Sequence, residues 1–158
     1  MLVLASNSPR RKELLTAAGI PYIIRGPDIE EVRRPDEPAV EYVRRLAEEK
    51  AFAIPIAPGE IVLAADTTVV IQDHILEKPR DHADAERMLR LLSGREHTVI
   101  TGICLRTAGE KIVDVAITKV RFVQMSEQEM ADYVASGEPM DKAGAYAIQG
   151  RASKFIER

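Results

Sequence analysis

Tryptophan is absent from this 158-residue sequence, aromatic residues make up only 4%, and there is a single cysteine. So few aromatics exclude a stacking platform for single-stranded nucleic acid. Cys104 has no partner for an internal disulfide, and within Ile103-Cys104-Leu105 it reads as a small buried hydrophobe, which fits a reducing, cytoplasmic compartment. The three histidines, His74, His82 and His97, show no ligand spacing, so a zinc or other transition-metal site is not expected. Positive charge is not in excess: 22 Lys and Arg stand against 25 Asp and Glu, a net charge of −3. That balance argues against a partner such as polymeric nucleic acid held by the overall field. No apolar run approaches the length of a membrane span, and Met1-Leu2-Val3-Leu4-Ala5, with no basic region before it, reads as a buried first strand rather than a secretory signal.

What the chain does have is 46% hydrophobic residues, enough to bury the core of one domain, and one unusual corner. Leu4-Ala5-Ser6-Asn7-Ser8-Pro9-Arg10-Arg11-Lys12-Glu13-Leu14-Leu15 passes from an apolar strand through two hydroxyls into a cationic helix start. Ser8 suits the N-cap and Pro9 the first helical position, with Leu14, Leu15 and Ala18 on the core face and Gly19 as the stop. Amide donors at such an end, the helix dipole and the charges of Arg10, Arg11 and Lys12 together attract phosphate. The plain alternative is a capped surface helix with a solvated basic turn.

Residues 38–54 have helical spacing, with Arg44, Arg45, Glu48 and Glu49 facing solvent and Lys50 lying unusually close to the apolar stripe. Lys50 either snorkels along the core edge or reaches into a phosphate pocket. Ile61-Val62-Leu63-Ala64-Ala65 is a buried strand with Asp66 at its tip, where a carboxylate needs a donor, a cation or a metal, or else ties down the strand end as an Asx turn; Thr67 to Ile71 continue extended, Gln72-Asp73-His74 makes a turn and Ile75-Leu76 returns. Glu31 sits in a charged loop, and Lys78 is held extended by Pro79. A helix capped by Asp81 or Asp84 precedes two long β-rich runs joined at 107–110, and Ser126-Glu127-Gln128-Glu129 has the form of a capping box. Carboxylates at Glu31 and Asp66 beside cations at Arg10, Arg11, Lys50 and Lys78 permit magnesium and phosphate chemistry. The spacing does not choose between a hydrolase, a transferase and a nucleotide-binding regulator.

A resemblance narrows this. The opening motif is similar to that of the Maf family, the septum-formation-inhibitor-like nucleoside triphosphate pyrophosphatases. Tyr42-Val43-Arg44-Arg45-Leu46-Ala47-Glu48-Glu49-Lys50-Ala51, Ala64-Ala65-Asp66-Thr67, Glu77-Lys78-Pro79, residues 92–99 and Asp141-Lys142-Ala143-Gly144-Ala145-Tyr146-Ala147-Ile148-Gln149-Gly150 continue the likeness in order. The resemblance implies a single α/β domain over residues 1–158, with an extended, twisted mixed sheet flanked by helices and a central cleft between two lobes. It also implies cleavage between the α- and β-phosphates of a nucleoside triphosphate with a divalent cation, Mg2+ or Mn2+. The matching positions give Asp66 as the proton acceptor, Glu31 as a holder of metal or water, and Ser6, Arg11, Lys50 and Lys78 as pocket residues. On the residues alone, Asp66 could equally be a metal ligand. Arg10, Thr67 and Gln149 match positions that separate a dTTP/UTP branch from a 7-methyl-GTP branch with Trp at the Arg10 position. Gln149 offers the donor and acceptor that a pyrimidine edge requires. Ser8 counts with Ser6 among the substrate-binding hydroxyls, and a homodimer is a family expectation. The family continues beyond the segment matching residues 155–158 into a further strand and helix, which the resemblance implies is lacking here. The competing reading is a nucleotide-binding regulator of cell division without turnover.

Overall fold

A computed structural model describes residues 1–147 and 151–157. Ten main elements follow one another: β1 (Leu2–Leu4), α1 (Pro9–Ala17), β2 (Tyr22–Ile24), α2 (Ala39–Phe52), β3 (Ile61–Ile71), β4 (His74–Leu76), α3 (His82–Leu92), β5 (Glu96–Arg106), β6 (Lys111–Arg121) and α4 (Glu127–Ala135). Short 3-10 turns at Glu138–Asp141, Ala143–Ala145 and Arg151–Phe155 complete the described chain. The fold is mixed α/β, as expected. Its six-stranded sheet has the order β2-β1-β3-β5-β6, with β4 pairing β3. β1 lies parallel to both β2 and β3, and β4 runs antiparallel to β3 through the Gln72-Asp73 turn.

The chain forms two compact units, Met1–Asp66 with Thr101–Ala116, and Thr67–Ile100 with Ile117–Arg158. In the first unit, Val3 and Ala5, then Val62 and Ala64, alternate onto one face of the sheet, where Ala47, Ala51 and Ile54 of the α2 segment meet them together with Cys104. Alternate positions of a strand share a face, while helical spacing aligns 47, 51 and 54. Small residues dominate this core, so helix and sheet backbones come close: a Cβ at Gly102 would stand 2.7 Å from the Val43 carbonyl oxygen. Cys104 is fully buried, and burial pushes its thiol up, as suits a core residue.

α1 departs from expectation. None of its residues is buried, Leu14 is 54% exposed, Leu15 is half-buried and Ala18 is exposed. The physical reason is that α2 supplies the buried helical face of this unit through Tyr42, Val43, Leu46, Ala47 and Ala51, whereas α1 is held at its ends by polar contacts. Gly19 N–H donates to Thr16 O and Ile20 N–H to Leu15 O, the paired bonds of a Schellman stop with Gly19 at φ +71°. Tyr22 Oη also donates to Lys12 O at 3.2 Å.

In the second unit, Ala85, Met88, Leu89 and Leu92 of α3 pack with Met130, Tyr133 and Val134 of α4, Val69, Phe122 and Phe155. Asp81 caps α3 by accepting from Asp84 N–H at 2.7 Å, and Ser126 with Glu129 forms the expected capping box on α4. His97 is 2% exposed and hydrogen-bonds Tyr146 through Nε2, with Phe122 edge-on to both rings. Among the described residues, no helix is long and apolar enough to cross a membrane.

Candidate functional site

After Leu4 the chain leaves β1 while Ala5 N–H still donates to Leu63 O, which carries the next residue, Ser6, into the interior at 4% exposure. Ser6 Oγ accepts from Ser8 N–H at 3.1 Å and from Arg11 Nη1 at 3.4 Å. Ser8 does hold the N-cap position in extended backbone, but its side chain makes no cap bond, and Pro9 follows as N1. The first-turn amides of α1 thus carry no serine cap, which leaves the positive helix end available to an anion. Arg10 turns along the helix instead and pairs with Glu13 at 2.8 Å.

Asp66 does not end a strand. β3 continues through it to Ile71, because Val69 to Ile71 go on to pair with β4, so the carboxylate projects from the middle of an 11-residue strand and is 8% exposed. The Asx-turn alternative is overturned with it. The partner that a buried carboxylate requires is Lys50. From the last turn of α2, Lys50 Nζ donates to Asp66 Oδ1 at 2.9 Å and to Ala65 O at 3.2 Å, and meets Glu31 Oε1 at 2.6 Å. Lys50 is 7% exposed, so it does not snorkel; its place near the apolar stripe reflects this inward reach. Burial raises the Asp66 carboxyl above its ordinary value, Lys50 and Arg11 oppose that rise, and Glu31 adds to it. Burial lowers Arg11 in turn, against the pull of Asp66 and Glu31. Ser6, Arg11, Glu31, Lys50 and Asp66 therefore form one charged cluster in the first unit.

Among the described residues, no group of three or more His, Cys, Asp and Glu side chains could hold a metal ion. The donor set is two carboxylates converging on one point, now bridged by an ammonium. That number suits magnesium, which takes one or two carboxylates and completes its shell with water and substrate phosphate. The residues fit such an ion.

Thr67 and Lys78 belong to the second unit, Thr67 half-buried in β3 and Lys78 exposed beside buried Pro79. Gln149 lies outside the described residues. Sequence reasoning missed what holds the Glu31 loop. Arg45, expected in solvent, has a side chain only 17% exposed and binds Glu37 through two nitrogens at 2.8 Å, because the loop folds back over it. Its i,i+4 spacing to Glu49 was visible in the sequence, whereas its pairing with Glu37 was not.

The family profile described as Maf-like protein matches residues 1–158. A curated dTTP/UTP pyrophosphatase of Anaeromyxobacter dehalogenans (strain 2CP-C) is 50% identical over 160 residues, covering 99% of this chain and 81% of that protein. Another protein so named, from Salmonella typhimurium, is 50% identical over 159 residues, with the same shares covered. Among solved structures, a HAM1 protein from Coxiella burnetii aligns with a TM-score of 0.48 at 19% identity, over 96% of this chain and 89% of that one.

Proposed function

The chain belongs to the Maf family, and from that premise we propose that it is a nucleoside triphosphate pyrophosphatase that hydrolyses dTTP and UTP to the monophosphate and pyrophosphate. The observation that carries the reading is the buried Lys50 bridge between Asp66 and Glu31, with Arg11 beside it. Asp66 is the general base. A carboxyl raised by burial is a better proton acceptor than an ordinary surface aspartate. Water adds to one phosphorus of the α–β anhydride, its proton passes to Asp66, the bridging P–O bond breaks, and the monophosphate and pyrophosphate separate. Glu31 and Asp66 would hold a divalent cation, magnesium or manganese, which supplies charge neutralisation on the triphosphate. Lys50 bridges the two carboxylates, while Arg11, Ser6 and the first-turn amides of α1 receive phosphate oxygens. Lys78 adds a further cation, and Ser8, Arg10, Thr67 and Gln149 complete substrate binding, the last three by selecting the base. A reaction on free nucleotides belongs in the cytoplasm.

Steady-state pyrophosphate release across a panel of triphosphates, with Asp66→Asn as control, tests this reading. We expect dTTP and UTP to be preferred and Asp66→Asn to lose at least about a hundredfold in kcat. Equal or better rates with 7-methyl-GTP would overturn the substrate assignment. Nucleotide binding without pyrophosphate release would instead favour the regulator reading.

A further inference from the structure

Glu31 lies in a stretch, residues 25–38, that contains no helix or strand, yet its carboxylate reaches Lys50 at 2.6 Å. A charged, irregular loop has no ladder to hold it, so its placement must come from side chains. Two such anchors flank Glu31, and both come from α2. Tyr42 Oη donates to the Glu31 carbonyl at 3.4 Å, and Arg45 Nη2 donates to the next carbonyl, that of Val32, at 2.8 Å. Arg45 uses the rest of its fork on carboxylates: Nε and Nη2 bind the two oxygens of Glu37 at 2.8 Å each, and Nη1 binds Glu49 at 3.1 Å. The guanidinium also stands 5.6 Å from the centre of the Tyr42 ring. Glu37 closes the loop on itself, its Oε1 accepting from Arg34 N–H at 3.1 Å and its carbonyl from Arg33 Nε at 2.8 Å. α2 is a firm base for these contacts, since Val43, Leu46 and Ala47 on the same helix are essentially inaccessible to solvent.

We propose that Arg45 is the positioning residue for Glu31: by clamping Val32 O and Glu37 to α2, it sets the Glu31 carboxylate opposite Lys50 and Asp66. The inference rests on the reading of Glu31 as part of the hydrolytic site. The Glu37 carboxyl, held down to about 2 by Arg45, keeps the clamp charged throughout the neutral range. Only arginine suits the position, because lysine has no planar fork to reach a carbonyl and both carboxylate oxygens at once.

The test compares Arg45→Met, Arg45→Lys, Glu37→Gln, Glu31→Gln and Arg45→Met/Glu31→Gln by steady-state pyrophosphate release from dTTP. Amide hydrogen exchange of the nucleotide-free proteins is followed alongside. Arg45→Met is expected to lower kcat on the order of ten- to a hundredfold through misplacement of a working group, with KM for dTTP unchanged. Arg45→Lys recovers little of that loss. The double variant is no slower than Glu31→Gln, because the two residues act as one unit. Amides of residues 30–34 exchange faster in Arg45→Met while those of α2 do not. Wild-type kcat in folded Arg45→Met, or losses that multiply in the double variant, would overturn the proposal. If Arg45→Met fails to fold, Glu37→Gln decides: a slowed kcat with unchanged KM supports the clamp, and wild-type kcat overturns it. Wild-type kcat in Glu31→Gln would remove the underlying reading, whereas slow Glu31→Gln beside fast Arg45→Met defeats the clamp alone.

Discussion

Asp66 and Lys50 show why a single side chain can settle a site. Each would be expensive to bury alone, and each makes the burial of the other tolerable. Lys50→Met keeps the length and packing of the stem but leaves the carboxylates of Asp66 and Glu31 without their bridge. We expect about 3 kcal/mol of stability to be lost at pH 7, at the low end for breaking a buried pair because Glu31 keeps access to water. The sign of its pH dependence follows from Asp66, whose carboxyl is raised by burial. As pH falls toward 5, Asp66 in the variant takes up a proton before the unfolded chain does, so the loss should shrink. Urea unfolding at both pH values checks this, and a loss that grows on acidification would contradict it.

At the scale of elements, the first unit depends on close approach between α2 and β5. Gly102 has no positive φ; it is there because a Cβ would meet backbone atoms of Val43 at 2.7 and 2.8 Å and Arg44 N at 3.0 Å. A helix backbone cannot yield as a side chain does. Gly102→Ala should therefore cost about 1–3 kcal/mol by overpacking. Gly109→Ala, in the β5–β6 turn where nothing lies within 4 Å, should be nearly neutral. The shift in urea midpoint between the two variants measures the contrast. α1 illustrates the opposite case. Its Leu14 and Leu15 suggested a core face, but three cations and a threonine share its two turns, and polar contacts at its ends hold it instead.

At the scale of the whole molecule, each unit has its own core, small residues in one and aromatics with long aliphatics in the other. The second core encloses His97, which burial pushes down to about 4. The unfolded chain protonates this imidazole below about 6.5 while the folded chain does not. Stability therefore falls as pH drops from about 6.5 to 4, by roughly 3 kcal/mol over the window. His97→Gln should flatten that slope in a series of unfolding curves, and an unchanged slope would assign the acid lability to other groups.

Local chemistry made much of this protein legible in its sequence. The strand–turn–helix corner, the Gly19 stop, the Ser126–Glu129 capping box, the β5–β6 hairpin and the buried cysteine depend on residues close in the chain, where propensity and periodicity act directly. Asp66 and Lys50 also announced themselves, as charges set against apolar patterns. Tertiary structure alone decided that α1 stays exposed and that the loop carrying Glu37 folds back over Arg45. Each outcome depends on which distant segment arrives to pair, cover or neutralise a group. A carboxylate such as Glu37, eight residues from Arg45, leaves no periodic mark on the residue it will meet.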